Sequence, residues 1–230
     1  MAEQQQIAQT NVSAKTFFDR EKFYEPVPEN GEIALAIFLE KTKEITLVFE
    51  HFGAVFSPVK SDMENNIKKI LAALKNPKGG EYKTIQELIT DEMARGVYKD
   101  GSSGTVAGVW LGRGLKFMYL FFEQLVLAHK NGNMTESNTE FVKIAYAGAL
   151  KEHHNFVSRG VFSVVCHGAP YRSDLCKRLM RSKVPDDVDA KEINNLVLTD
   201  MEEYLKNLKE TTDTWNSQCM EILQDKYKRL

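Results

Sequence analysis

Apolar positions along this chain recur at helical spacing, not at the alternation of a strand. From Ile33 to Phe52 they follow one another three and four residues apart and stop at Gly53, which predicts a helix with a glycine C-terminal stop. Pro58 leads into a second helix, whose Met63, Ile67, Ile70, Leu71 and Leu74 form an apolar stripe. After the breaker cluster Pro77-Lys78-Gly79-Gly80, Thr84 caps a shorter predicted helix running to Met93. The loop Asp100-Gly101-Ser102-Ser103-Gly104 opens a long apolar helix that Asn131-Gly132-Asn133 ends. From Ser137 the pattern predicts one further helix toward Cys166, bent near Gly160 and broken by Ala169-Pro170. Tyr171 to Met180 reads as a short helix and Lys191 to Lys226 as a long one. No strand pattern, internal repeat or linker between folding units occurs, so the expected fold is all-α and single-domain. Residues 1–15 are polar and Gln-rich and are expected to be disordered, leaving residues 16–230 as the domain.

Composition narrows the picture. The apolar run from Val106 to Ala128 is long enough to suggest a membrane span, but Arg113, Lys116 and Glu123 would then lie deep in the bilayer, so a buried helix of a soluble protein is expected. With 30 basic against 32 acidic residues the chain lacks the cationic excess that binding to nucleic acid requires. Its N-terminus has neither the basic nor the apolar region of a secretory signal, and its three cysteines lack metal-site spacing. A cytoplasmic protein with reduced thiols is the expectation.

The candidate chemistry is polar and clustered. At 100° per residue, Asp62, Asn66 and Lys69 fall within roughly 60° of arc beside the apolar stripe, so a hydrogen-bonding face borders the core. A solvated helix face has the same composition. Adjacent sugar hydroxyls, however, call for this set, because a carboxylate accepts, an amide does both and an ammonium donates. Trp110, Arg113 and Phe117 share one face of the long apolar helix, and an indole can cover the C–H face of a sugar ring. His154, beside His153, is a further donor. HExxH, GxSxG and a phosphate-binding glycine loop are absent, and no metal, cofactor or enzymatic activity is expected.

These residues, in this order, lie within segments that resemble the glycolipid transfer protein family: FGAVFSPVKSDMENNIKKI (Phe52 to Ile70), VWLGRGLKFMYLFF (Val109 to Phe122), ALKEHHNFV (Ala149 to Val157) and GAPYRSDLCKRL (Gly168 to Leu179), followed by Tyr227. The resemblance implies a two-layer helical sandwich enclosing a lipid-chain pocket. It also implies a monomer that moves a glycosphingolipid between membranes. Asp62 would accept from sugar hydroxyls and the ceramide amide N–H, Asn66 would bridge hydroxyls and Lys69 would donate. Trp110 would stack on the sugar, His154 would donate to the amide carbonyl and Tyr227 would help close the site. Phe56, Val59, Phe117, Leu150 and Phe162 would line the chain pocket. Phe156, Val157, Tyr171 and Arg172 would meet the membrane surface, with Arg159 and His167 on the same rim. Two alternatives remain: ceramide-1-phosphate as the cargo, and a glycolipid sensor acting through a protein partner.

Overall fold

The computed structural model describes residues 16–19, 24–75, 81–133, 135–185 and 188–230. The segment expected to be disordered, residues 1–15, lies outside them. Helices run in the order α1 (Leu35–Thr46), α2 (Phe49–Phe52), α3 (Ser57–Leu74), α4 (Ile85–Ala94), α5 (Gly104–Lys130), α6 (Thr139–Ala149), α7 (Phe156–His167), α8 (Arg172–Arg178) and α9 (Ala190–Leu223). Short 3-10 turns occupy Ala54–Phe56 and Gln224–Arg229. Among the described residues, strand pairing is confined to one antiparallel bridge between Thr16 and Met180. The expected all-α, two-layer architecture is the one observed.

The long apolar helix is the organising element. α5 packs along α9, α3 and α6 and more briefly against α4, while α1 rests on α3, and α4 and α8 rest on α9. Its sequence is apolar nearly all round because it is covered on nearly every side, and among the described residues no helix is long and apolar enough to cross a membrane. Its buried N-terminus is satisfied from outside the helix. Glu92 of α4 accepts the Gly104 and Thr105 amides at 2.9 and 2.7 Å, and Ser103 caps the Val106 amide. The expected Thr84 cap is a complete capping box with Glu87. Cys166, Cys176 and Cys219 are free and buried.

Two helix boundaries differ from the sequence expectation. The predicted Ile33–Phe52 helix is split at Leu47–Val48, where amides bond three residues back instead of four: Leu47 N–H to the Glu44 carbonyl and Val48 N–H to the Ile45 carbonyl. Thr46 drives this change, because its hydroxyl donates at 2.6 Å to the Lys43 carbonyl that Leu47 would have used in a continuing helix. Gly53, at φ 87°, ends the segment as expected.

The second difference shapes the site. No helix runs from Ser137 to Cys166 with a bend at Gly160; the chain instead leaves α6 at Leu150 and re-enters α7 at Phe156. Asn155 makes the break, its side chain accepting the Ser158 amide at 2.9 Å as an N-cap. Gly160 lies inside α7, and a Cβ built on it would meet nothing within 4 Å. Gly160→Ala should therefore stabilise the protein by about 0.5–1 kcal/mol, since alanine restricts the unfolded chain and fits the helix. Chemical denaturation of the two proteins checks this, and an unchanged or lower midpoint would contradict it.

Candidate functional site

The turn between α6 and α7 delivers His154 to the rim of a cavity of about 240 Å³. α3 contributes Val59, Asp62 and Met63, α5 contributes Trp110 and Gly114, and α7 contributes Val161, Phe162 and Val165. Leu150 completes the apolar wall. Asp62, Trp110 and His154 come from three separate elements, and apart from Ser158 of α7 the rest of the lining is apolar or glycine. That division suits a ligand with a polar end and an apolar body.

Each polar group is held by its neighbours. Asn66 is only 4% exposed and donates to Asp62 Oδ2 at 3.2 Å, so it fixes the carboxylate from behind. Lys69 lies one further turn along the same face. Asp62 is solvent-accessible at the rim, yet the protein around its carboxyl removes enough water to raise its pKa above its ordinary value. Lys69, His154 and the Asn66 hydrogen bond pull the other way. His154 Nδ1 is 3.2 Å from the Tyr146 hydroxyl, and its ring stacks on Trp110 at 5.6 Å and 24°. Tyr146 is in turn stacked on Phe162 at 4.1 Å.

Behind Trp110 the structure is buried. Arg113 is 2% exposed, its guanidinium carbon lies 5.0 Å from the Trp110 ring centre and 5.1 Å from that of Tyr227, and its Nη2 donates to the Tyr227 carbonyl at 3.0 Å. The Tyr227 hydroxyl donates to Asn216 Oδ1, and the Asn216 amide donates to the Gly112 carbonyl. Gly112 must be small here, because a Cβ would come within 2.4 Å of Asn216 Oδ1 and 2.7 Å of Trp215 Cδ1. Tyr227 thus braces Arg113 and, through it, Trp110; it does not line the cavity.

Of the expected chain-pocket residues, Val59, Leu150 and Phe162 line the cavity. Phe117 supports it from behind by an edge contact with Phe162 at 5.2 Å, and Phe56 packs against Phe52 and Phe49. The expected surface residues divide similarly. Phe156 is 89% and Val157 71% exposed, and Tyr171 is exposed, but Arg172 is 2% exposed. The expectation for Arg172 is therefore corrected: its Nη1 donates to the Asn133 carbonyl at 2.7 Å and its amide to the Glu136 carbonyl, tying α8 to the α5–α6 connection.

The profile of the family described as Glycolipid transfer protein (GLTP) matches residues 33–181. The chain belongs to the glycolipid transfer protein family. The glycolipid transfer protein of Danio rerio is 30% identical over 197 residues, covering 83% of this chain and 88% of that protein. That of Aureobasidium melanogenum is 35% identical over 171 residues, covering 71% and 78%. Among solved structures, the GLTP-fold of FAPP2, which selects simple glycosphingolipids, superposes with a TM-score of 0.73 at 26% identity, covering 90% of this chain and 96% of that one. Human ceramide-1-phosphate transfer protein in complex with 12:0 ceramide-1-phosphate has the same fold at 17% identity, with a TM-score of 0.68 and coverage of 86% and 92%.

Sequence reasoning missed Tyr146, the partner of His154, because the two were assigned to one helix in which residues eight apart lie two turns away from each other. Met63, read as part of the apolar stripe, forms cavity wall together with Gly114. Burial lowers the pKa of both His154 and His153 below the ordinary histidine value of about 6.5, with Asp62 opposing at His154 and Glu152 opposing at His153. A histidine with a depressed folded pKa binds fewer protons folded than unfolded. Its stability contribution is present above about pH 6.5 and is lost as pH falls toward the folded value. The melting temperature should therefore decline just below pH 6.5, and His153→Gln/His154→Gln should flatten that decline; equal slopes in the two proteins would refute the assignment.

Proposed function

We propose that this protein takes a glycosphingolipid from one membrane, carries it with its chains in the α3/α5/α7 cavity and releases it to another, without chemical change. The observation that carries the reading is the meeting of Asp62, Trp110 and His154, from three elements, at the mouth of an apolar cavity. A sugar laid on Trp110 presents hydroxyls to Asp62, with Lys69 and Asn66 further along the same helix face. The ceramide amide then lies between an acceptor, Asp62, and a donor, His154. In the tautomer in which Nδ1 accepts from the Tyr146 hydroxyl, Nε2–H of neutral His154 is the donor. Two directional contacts on one amide set the depth at which the lipid sits.

The energetics favour exchange over capture. Shielding some 30 methylenes from water is worth roughly 24 kcal/mol, at about 0.8 per CH₂, but a bilayer already supplies that shielding. Chain burial lowers the barrier to crossing water, and selection rests on the headgroup. The cavity, about 240 Å³, is below the roughly 300–1,000 Å³ of typical small-molecule pockets, so a two-chain lipid requires its walls to part. α7 is the wall best suited to move, because it packs mainly on α6 and the Ala54–Phe56 turn and meets the central helix through the Phe117–Phe162 edge contact.

The test is transfer between donor and acceptor vesicles of fluorescent galactosylceramide, ceramide-1-phosphate and a phosphoglyceride. Preferential, multiple-turnover movement of the galactosylceramide is the expected result. Preference for the phosphate would overturn the headgroup assignment, and binding without turnover would make the protein a sensor.

A further inference from the structure

Tyr146 reaches the glycolipid site from α6 without lining its cavity. The residue is 8% exposed, and its ring lies flat on Phe162 of the cavity wall, with ring centres 4.1 Å and planes 9° apart. Burial and stacking together hold the ring, and they place its hydroxyl 3.2 Å from His154 Nδ1. Among the described residues, His154 is the hydrogen-bond partner of this hydroxyl, while His154 Nε2, at the cavity mouth, has no partner.

A neutral imidazole carries its proton on either Nδ1 or Nε2, and its ring can sit in either of two flips. Only one combination offers an Nε2–H to a carbonyl in the cavity. A hydroxyl that donates to Nδ1 selects it, because Nδ1 must then face α6 and be the acceptor. Were the hydroxyl to accept from Nδ1–H, its own proton would have no acceptor among the described residues, and a buried donor left unmatched is costly.

We propose that Tyr146 is a positioning residue for recognition of the ceramide amide: its hydroxyl fixes the flip and tautomer of His154 so that Nε2–H, and not a lone pair, meets the amide carbonyl. The proposal rests on the glycolipid reading of the site. Its signature is a dependence on pH that simple packing would not give. An imidazolium carries protons on both nitrogens, so selection between tautomers has no consequence once His154 is charged. Burial lowers the His154 pKa; Asp62 of α3 opposes that shift, and Arg159 of α7 and Arg113 of α5 add to it. His153 titrates in the same turn. Burial raises the pKa of Tyr146, which keeps its hydroxyl proton throughout.

Tyr146→Phe keeps the stack on Phe162 and removes only the hydroxyl. In the ligand-free protein, imidazole nitrogen NMR should show the Nε2–H tautomer of His154 in the wild type and a mixture in the variant. Quenching of tryptophan fluorescence by a short-chain, dispersed glucosylceramide reads affinity. At about pH 8 the variant should bind about 2- to 12-fold more weakly, the equivalent of one net hydrogen bond of roughly 0.5–1.5 kcal/mol. The ratio between the two proteins should shrink toward unity in acid, and it cancels the titrations of Asp62 and His153 that both share. Glucosylsphingosine, which lacks the acyl amide, should bind the two proteins alike. An Nδ1–H tautomer in the wild type, or a tautomer that the substitution leaves unchanged, would overturn the proposal. So would an affinity ratio that stays constant with pH, or an equal loss for glucosylsphingosine. If the tautomer responds as expected but glucosylceramide does not quench the wild type, the glycolipid reading fails and the role of Tyr146 in amide recognition falls with it, while its control of the His154 tautomer stands.

Discussion

Asp62→Val should reduce galactosylceramide transfer by about 10- to 100-fold, the loss expected when one hydrogen bond to a charged acceptor, worth about 1.5–3 kcal/mol, is removed. The effect should fall on binding and not on folding. Asp62 is at the rim, and its raised pKa indicates that the folded protein holds the ionised carboxyl less comfortably than water does. A raised carboxylate pKa costs stability above the folded value and ceases to do so as the group protonates in acid. Removing it relieves that cost but leaves the buried Asn66 amide without its acceptor. The two changes oppose each other, so the melting temperature at neutral pH should stay close to that of the wild type. Asp62→Asn retains an acceptor without the charge and should fall between the two proteins. Full transfer by Asp62→Val, measured with an intact helical circular-dichroism spectrum, would remove Asp62 from the site.

The same residue shows what could and could not be read in advance. The order and character of the helices were legible, because periodicity, proline, glycine and cap residues are local signals, and the capping box at Thr84 and the stop at Gly53 depend on residues within a few positions. Asp62, Asn66 and Lys69 were legible as a face for the same reason. Their separate duties were not: Asn66 is buried beneath Asp62, a distinction of depth that one-dimensional spacing does not carry. The break at 150–155 was missed because Leu150 to Val157 contains no proline or glycine, and Asn155 acts as a cap only once the chain has turned. The pairing of Tyr146 with His154 depended on that turn. Arg172 was misplaced because the resemblance put it on the membrane rim as one of its basic side chains, and its burial is not visible in the sequence. The guanidinium instead reaches a carbonyl 39 positions away, a contact that only tertiary structure can create.

Trp110→Ala should produce the second large effect, and its pattern across ligands matters more than its size. The indole is half-buried, with His154 stacked on it at 5.6 Å and the Arg113 guanidinium 5.0 Å from the ring centre. Full removal of a buried tryptophan costs about 3–5 kcal/mol, so this partly accessible one should cost less and leave the protein folded. Loss of the sugar platform should lower glycolipid transfer by at least about tenfold, in line with the roughly 1–3 kcal/mol that aromatic stacking contributes elsewhere. The decisive comparison is glucosylceramide against ceramide lacking the sugar. If Trp110 reads the ring, the alanine variant loses most of its affinity for the first and little for the second, so the preference between them collapses. If Trp110 only packs against His154 and Arg113, both ligands weaken together, because the amide donor shifts for each. Trp110→Phe separates the contributions further. It keeps an aromatic face for the arginine and the imidazole but offers a smaller surface to the sugar, so it should preserve ceramide binding and restore only part of the discrimination.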